Sequence, residues 1–327
     1  MPTNLANPRA PSYVPRMQID FIKCQGSGND FPLIDGRALA LDDSAWANIA
    51  IALADRSGPV GGDGLLVLVE GTGGAAFGQR MWNPDGSESE TCLNGLRCVA
   101  RLGFEVTGLA AAQVSLPTSI ADAAIADPIA PGVSTVRTLV GPVSIRTADV
   151  GLRIDVPELI DAPIPGLPSD RRFTAVAMPN PHLVSFVDAI DEAELVALGD
   201  WCEAVPALIP GRANVSFVTI DDGALFVRTY ERGVGLTDSC GSAMGASVYA
   251  ACLTGRVPFD QRLTVRNRGG LVHASASQEA RIAIAGNATF EYDATVSIDV
   301  DRALAGPVAM HRRREDEVAA WQTAINT

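Results

Sequence analysis

Two segments of this chain, 148 residues apart, place a cysteine in the same sequence setting. Asn83 lies nine residues before Cys92, Glu231 lies nine residues before Cys240, and an aromatic residue directly precedes both Asn83 and Glu231. A repeated setting of this kind predicts a duplicated half-site in which two thiols are directed at one substrate. Two such thiols suit a reaction that removes a proton from one face of a carbon and returns a proton to the other.

Each cysteine stands where a helix is expected to begin. Apolar residues recur at helical spacing over 93–102, with Gly103 near the expected end, and small and apolar residues run over 243–253, with Gly255 just past the end. At a helix N-terminus, unpaired N–H groups and the positive end of the dipole lower a thiol's pKa and attract a carboxylate. We therefore expect each motif both to activate a base and to hold the acidic end of a substrate.

The other cysteines are expected to be structural. Six cysteines in 327 residues are too few for a disulfide scaffold, and no Cys-x-x-Cys pair occurs. The three histidines are scattered without metal-ligand spacing, so no metal is expected. The four thiols expected to be inert are those of Cys24, Cys98, Cys202 and Cys252.

Composition narrows the class of partner. A net charge of −13 opposes binding to nucleic acid and to anionic membranes. No apolar run reaches the ~18 residues of a membrane-spanning helix. Residues 1–16 are polar and lack the apolar stretch of a signal peptide, so a cytoplasmic location is expected.

The chain predicts an α+β fold with a mixed or mostly antiparallel sheet. Segments such as 214–220 and 224–229 alternate apolar and polar residues as strands do, without a regular alternation of strands and helices. The length favours two domains. Residues 1–18 are expected to form a disordered arm, and residues 303–327 a C-terminal tail with a solvated helix and no assigned function.

Several motifs, in order, resemble those of the diaminopimelate epimerase family. The members of this family are pyridoxal-phosphate-independent enzymes of bacterial lysine and cell-wall precursor synthesis. The resemblance covers the chain from Phe21 to about Val300. It rests on Lys-Cys-Gln-Gly-Ser-Gly-Asn-Asp-Phe at 23–31, Asp-Arg at 55–56 with Gly-Asp-Gly at 62–64, Trp-Asn-Pro-Asp-Gly-Ser at 82–87, Cys-Leu-Asn-Gly-Leu-Arg-Cys at 92–98, Met-Pro-Asn-Pro-His at 178–182, Asn-Val-Ser-Phe at 214–217, Tyr-Glu-Arg-Gly-Val-Gly at 230–235 and Cys-Gly-Ser at 240–242.

The resemblance implies two pseudo-symmetric α/β domains of mirrored topology with the active site in the cleft between them. The implied domains are 19–137 plus 286–302, and 138–285. The implied reaction is the epimerisation of LL-2,6-diaminopimelate to meso-diaminopimelate at the α-carbon, with no cofactor. Because family members are commonly dimers, a homodimer is expected.

The resemblance also implies a role for individual residues. Cys92 and Cys240 match the two catalytic thiols, which exchange the roles of base and acid with the direction of reaction. His182 and Glu231 match polar neighbours that tune the thiol pKa values. The positions that match substrate contacts are Asn29, Asn83, Leu93, Asn94, Asn180, Asn214, Glu231, Arg232, Gly241 and Ser242.

Three positions depart from the family pattern. Leu93 replaces the glycine that usually follows the first thiol, which keeps a backbone N–H but places a bulky side chain beside the sulfur. Gly64 stands where some members present glutamine, so it is not counted as a ligand. The run Ala-Met-Gly at 243–245 also differs from the commoner small residues. These departures bear on the identity of the substrate more than on the type of reaction.

Two alternative functions stay open at this point. The first is a related racemase or isomerase that acts on another amino acid. Proline racemase-like chains typically carry a histidine where this chain has Asn94, and phenazine isomerase-like chains lack the thiol pair. The second is a binding protein without catalysis, which would be expected to lose one of the two cysteines, whereas this chain keeps both.

Overall fold

The computed structural model describes residues 17–89, 92–178 and 180–326, and within them it has eighteen strands and six helices. The sheet is mixed, as the sequence predicts. The helices are α1 (Asp43–Ala54), α2 (Leu93–Thr107), α3 (Thr147–Val150), α4 (Glu192–Glu203), α5 (Gly241–Leu253) and α6 (Glu315–Ile325). The strands are β1 (Met17–Gly26), β2 (Asn29–Asp35), β3 (Leu65–Glu70), β4 (Phe77–Trp82), β5 (Ala111–Ser115), β6 (Ile120–Ile125), β7 (Thr135–Val140), β8 (Ala162–Pro163), β9 (Arg172–Met178), β10 (Asn180–Phe186), β11 (Asn214–Asp221), β12 (Ala224–Glu231), β13 (Gly235–Thr237), β14 (Leu263–Asn267), β15 (Gly270–Ala276), β16 (Ile282–Asn287), β17 (Thr289–Asp299) and β18 (Leu304–Arg313).

The order of strand pairing in the first half of the chain is repeated in the second half. From β1 to β7, neighbouring strands pair antiparallel, parallel, antiparallel, parallel, antiparallel and antiparallel. The same series runs through β9, β10, β11, β12, β14, β15 and β16. The last strands of the two series, β7 and β16, pair antiparallel and join the halves. The duplication inferred from the two cysteine motifs therefore extends to the whole pairing pattern.

The helices obey the same repeat. The first parallel step of each half contains α1 or α4, and the second contains α2 or α5. One apolar core includes residues of both α2 and α5 and of strands from both halves, whereas α1 and α4 cover separate apolar clusters. Helix α5 is buried over nearly its whole length, as expected for a helix that is apolar on every side.

Both cysteines occupy N-cap positions, as predicted. The backbone of Cys92 before α2 and of Cys240 before α5 is extended, with φ of −144° and −141°. The end of α2 lies beyond the predicted Gly103, because left-handed Gly108 caps the helix and donates its N–H to the carbonyl of Phe104 at 2.9 Å. Gly255, at φ +68°, follows the end of α5 as predicted.

The C-terminal residues pack against the rest of the molecule instead of forming the solvated helix that the charge run predicts. Strand β18 pairs with β17, and Trp321 of α6 is only 1% exposed. Glu317 of α6 forms an ion pair with Arg101 of α2. Burial of the indole outweighs the exposure expected from the charged sequence before it.

The predicted boundaries of the segments can be placed on these elements. Residues 17 and 18 belong to β1, and the remainder of the expected N-terminal arm lies outside the described residues. The predicted domain boundaries at 137/138 and 285/286 fall within β7 and β16, the two strands that join the halves. In the part of the chain that the structure describes, every helix is too short or too polar to cross a bilayer.

Candidate active site

The N-termini of α2 and α5 are in contact, and this contact brings the two cysteine motifs together. A Cβ added to Gly241 would lie 2.8 Å from Oδ1 of Asn94 and 3.1 Å from Cβ of Leu93. Glycine at 241 is therefore required by the close approach of the two helix ends. The thiols of Cys92 and Cys240 are near enough that a charge on Cys92 raises the pKa of Cys240.

The first thiol is partly buried and accepts a hydrogen bond from its own helix. The Gly95 N–H donates to Sγ of Cys92 at 3.3 Å. Burial raises the pKa of Cys92 to about 12, and Glu231 adds to this, whereas the Gly95 hydrogen bond and the charge of Arg97 act in the opposite direction. The Cys92 thiol is therefore protonated at neutral pH until substrate or a proton acceptor changes its surroundings.

The second thiol is paired with a carboxyl group. Burial raises the pKa of Cys240, and the nearby Glu231 raises it further, while Ser242, whose Oγ lies 3.4 Å from Sγ, opposes the shift. Burial also raises the pKa of Glu231 to about 7, although its hydrogen bond with Cys240 lowers it. At neutral pH Cys240 therefore keeps its proton, whereas Glu231 is close to its own pKa and can take up or release one.

The expected lowering of the thiol pKa at the helix N-termini is thus wrong for both cysteines. The helix N–H groups are present at each site, but the cost of burying a charged sulfur exceeds their effect. The N-termini identify where the thiols lie, and burial decides their protonation.

A chain of amide and hydroxyl groups links the two halves beside the thiols. Asn94 Nδ2 donates to Oδ1 of Asn29 at 2.7 Å and to Oγ of Ser239 at 2.9 Å. Asn29 Nδ2 in turn donates to Oδ2 of Asp63 at 3.0 Å. The predicted residues Asn29 and Asn94 are therefore held together, and the bond to Ser239, the residue before Cys240, connects them to the second cysteine motif.

A second polar cluster lies in the C-terminal half. His182 Nε2 is 3.0 Å from Oδ1 of Asn180 and 3.5 Å from Nδ2 of Asn214. Oδ1 of Asn214 accepts the backbone N–H of Arg232 at 2.8 Å. Burial, with the charge of Arg232, lowers the pKa of His182 to about 3, so the imidazole is neutral at neutral pH. Nε2 of His182 thus lies between Asn180 and Asn214, which are two of the predicted substrate contacts.

Two further predicted positions have distinct surroundings. Asn83 donates to Ser87 through its amide and its backbone N–H and accepts the Gly86 N–H at its carbonyl, all within the turn that follows β4. Leu93 is 3% exposed and lines an apolar cavity of about 160 Å³ together with Val140 and Met178. The leucine that departs from the family pattern is therefore part of the core shared by the two halves.

The repeat shows why the site is asymmetric. Leu65 pairs with Trp82 in the first half as Val215 pairs with Tyr230 in the second, which makes Gly64 the counterpart of Asn214. A Cβ at Gly64, where φ is +155°, would lie 2.4 Å from the Trp82 carbonyl, so no side chain fits there.

The other equivalent pairs follow from the same register. Asn29 corresponds to Asn180, and Asn83 corresponds to Glu231. His182 corresponds to a buried phenylalanine, Phe31. The carboxyl group and the imidazole are thus contributed by the C-terminal half alone.

Sequence reasoning missed several residues that hold the site. Asp63 and Ser239 bond to predicted residues, and their places beside Gly64 and Cys240 were the available signal. Arg97 lies within the first cysteine motif but was not singled out. Asn287 binds the Arg97 guanidinium through its carbonyl, and nothing in its local sequence indicates this contact.

Comparison with known proteins places the chain in a family. A family model described as diaminopimelate epimerase matches residues 174–291. The diaminopimelate epimerase of Clostridium acetobutylicum is 38% identical over 290 residues, covering 86% of this chain and 87% of the relative. The Listeria innocua enzyme of the same name is 35% identical over 293 residues, covering 86% and 89%. The chain belongs to the diaminopimelate epimerase family. It is accordingly an isomerase.

Solved structures with the same fold include a hydroxyproline epimerase from Agrobacterium vitis and a PhzF-family phenazine biosynthesis protein from Bacillus anthracis. The first has a TM-score of 0.60 at 15% identity and covers 95% of this chain and 98% of its own. The second has a TM-score of 0.60 at 14% identity and covers 86% and 100%. These structural similarities confirm the expected fold class, but at 14–15% identity they do not identify the substrate.

Substitution of Gly241 tests whether the N-termini of α2 and α5 are in close contact. Gly241→Ala is expected to lower the free energy of unfolding by about 1–3 kcal/mol, because the new methyl group overlaps Asn94 and Leu93. Gly211→Ala is the matched control, since nothing lies within 4 Å of its added Cβ, and a change within about 1 kcal/mol is expected. Urea denaturation measures both. Equal stability of the two variants would contradict the close contact.

Proposed function

We propose that this chain epimerises LL-2,6-diaminopimelate to meso-diaminopimelate by proton transfer between the α-carbon and the thiols of Cys92 and Cys240, with no cofactor. The single observation that carries the proposal is the pair of thiols at the N-caps of two helices whose N-termini touch. The names of the relatives, at 35–38% identity over most of the chain, support diaminopimelate as the substrate.

The helix ends offer a binding site for the carboxylate next to the reacting carbon. Within the described residues, the N–H groups of Leu93, Asn94, Gly241 and Ser242 have no protein acceptor, whereas Gly95 N–H is taken by Cys92. Two helix N-termini directed at one point stabilise the negative charge that develops on the carboxylate as the α-proton leaves. These four N–H groups belong to the residues expected to contact substrate.

The proton then moves from one face of the carbon to the other. A thiolate on one cysteine takes the α-proton, and the C–H electron pair passes into the carboxylate as an enolate. The thiol of the other cysteine protonates the opposite face, which leaves that sulfur as the thiolate. In the reverse direction, the two sulfurs exchange roles. Protonation states are restored through Glu231 and solvent before the next turnover.

Glu231 is the group best placed to form the starting thiolate. Its carboxylate interacts with the Cys240 thiol, and a pKa raised to about 7 makes it a stronger proton acceptor than a carboxylate in water. When Glu231 takes the proton, Cys240 becomes the base. When Glu231 is ionised, Cys240 keeps its proton and serves as the acid.

The remaining predicted residues suit the far end of the substrate. The side chains of Asn29, Asn180 and Asn214 can both donate and accept, as an ammonium group beside a carboxylate requires. Arg232 donates to the Gly211 carbonyl at 3.1 Å through one nitrogen, and its other guanidinium donors suit a distal carboxylate. A symmetric diamino diacid supplies both groups.

We further propose that the reaction serves lysine and peptidoglycan precursor synthesis, that the protein works in the cytoplasm, and that it forms a homodimer. The family membership supports these proposals. The alternative of another amino-acid substrate for a related racemase is separated from the main proposal by the following assay.

The reduced protein is expected to convert LL-diaminopimelate to the meso isomer without added cofactor. Chiral chromatography of the two isomers measures the conversion, with L-proline and trans-4-hydroxy-L-proline as comparison substrates. Turnover of either proline substrate, but not of diaminopimelate, would overturn the substrate assignment and favour the alternative.

Substitution of either thiol is expected to reduce kcat by a factor on the order of 10³ or more, because serine is a far weaker acid than cysteine. The variants are Cys92→Ser and Cys240→Ser. Cys202→Ala removes a thiol from α4 and is the control, for which kcat near that of the unchanged protein is expected. A Cys240→Ser variant with normal turnover would contradict the two-thiol mechanism.

The pH dependence of activity is expected to follow Glu231. Below its pKa of about 7 the carboxyl group is protonated and cannot receive a proton from Cys240, so kcat/KM is expected to fall as pH decreases through about 7. Glu231→Gln should remove this part of the profile and lower kcat/KM by about 10²-fold or more. A profile unchanged by Glu231→Gln would show that another group titrates.

A further inference from the structure

Arg97 is a cation buried in the core without a counterion. Its side chain is 0% exposed, and among the residues that the structure describes no carboxylate pairs with it. Burial lowers the pKa of Arg97 to about 10, opposed by interactions with Cys98 and Cys92. Burying a guanidinium without an anionic partner makes folding less favourable. The presence of Arg97 one turn into α2 is therefore not explained by stability.

Neutral oxygens from three parts of the chain receive its hydrogen bonds. Arg97 Nε donates to the carbonyl of Asn287 at 3.0 Å, and Nη2 donates to Oγ of Ser27 at 2.8 Å and to Oδ1 of Asn94 at 3.1 Å. Nη1 donates to the carbonyl of Leu93 at 3.4 Å. These partners lie before β2, at the end of β16 and in the first turn of α2.

The bond to Asn94 determines which way the amide group faces. A guanidinium has donors only, so the atom of Asn94 that faces Arg97 must be the oxygen. The amide nitrogen is then directed away from Arg97, to Asn29 and Ser239. Ser239 directly precedes Cys240, whereas Asn94 lies two residues after Cys92. The orientation set by Arg97 thus makes Asn94 the donor in the hydrogen bond that joins the two cysteine motifs.

We propose that Arg97 is a positioning residue for the thiol pair: its carboxylate-free guanidinium fixes the Asn94 amide across the two helix N-termini and places an uncompensated positive charge beside Cys92. The effect on turnover rests on the proposed function, whereas the effect on the Cys92 sulfur does not. The titratable groups that act against it at the same sulfur are Glu231 and Cys98, since a negative charge on either would raise the pKa of Cys92. Cys240 also interacts electrostatically with Cys92.

The test compares three arginine variants of the full chain. Arg97→Met removes the charge and the donors, and Arg97→Lys keeps the charge but cannot serve all the acceptors. Arg101→Met is the matched control one turn further along α2, where the arginine is paired with Glu317. The rate of Cys92 alkylation by iodoacetamide, followed by peptide mass mapping across pH, reports the thiolate directly and needs no substrate.

Arg97→Met is expected to slow Cys92 alkylation at pH 8 by about tenfold, which corresponds to a rise of about one unit in the Cys92 pKa. Arg97→Lys is expected to stay within about threefold of the unchanged protein in alkylation, yet to lose about tenfold in kcat with a smaller change in KM, because the Asn94 amide is released. Arg101→Met is expected to leave the pH profile of alkylation in place. A folded Arg97→Met with an unchanged profile, or equal effects of Arg97→Met and Arg101→Met, would overturn the proposal.

A second variant keeps the test decisive if Arg97→Met fails to fold. Asn94→Asp keeps an acceptor, now a carboxylate, for Arg97 but removes both donors to Asn29 and Ser239. It is expected to fold and to lose at least about tenfold in kcat, and normal turnover would contradict the role of the amide. If the protein does not turn over diaminopimelate but alkylation responds as expected, the proposed function fails and the role of Arg97 stands.

Discussion

The contact between the N-termini of α2 and α5 is the constraint on which the rest of the structure depends. It requires glycine at 241, it brings the residues that follow Cys92 and Cys240 into contact, and among the described residues the first N–H groups of both helices have no protein acceptor. The repeated strand pairing delivers the two helices, and the β7–β16 pair fixes the halves against each other.

Burial makes both thiols weaker acids than a free cysteine. Burial raises the pKa of each thiol, because a charged sulfur is unfavourable in a low-dielectric core. Two neighbouring groups act on the thiols. Glu231, with a pKa raised to about 7, is a proton acceptor beside Cys240, and the charge of Arg97 lowers the pKa of Cys92. In the mechanism that we propose, these two groups help a proton to leave the sulfurs.

Much of this arrangement could be predicted from the sequence. The matched approaches to Cys92 and Cys240 indicated the duplication, and the spacing of apolar residues placed both at helix N-termini. The protonation of the thiols could not be predicted, because it depends on how deeply the folded chain buries them. For the same reason, the burial of Trp321 was missed, since a charged local sequence does not show which surface a helix will meet.

The asymmetry of the site was also beyond local sequence. Only the strand register shows that Gly64 corresponds to Asn214, and only the fold brings Asn287 to Arg97, 190 residues away. Long-range contacts of this kind leave no periodic pattern. The resemblance to a known family implied residue roles that patterns could not, and those roles stay predictions for the experiments above.

The most direct measurement follows deuterium during epimerisation in deuterated water at low conversion. Two thiols on opposite faces predict deuterium at the inverted α-carbon of the product and essentially none in the recovered LL-diaminopimelate, because the thiol facing the substrate proton returns that proton and not a deuteron. Deuterium in the recovered substrate and product at similar levels would indicate a single base that exchanges with solvent. That result would contradict a mechanism that uses both Cys92 and Cys240.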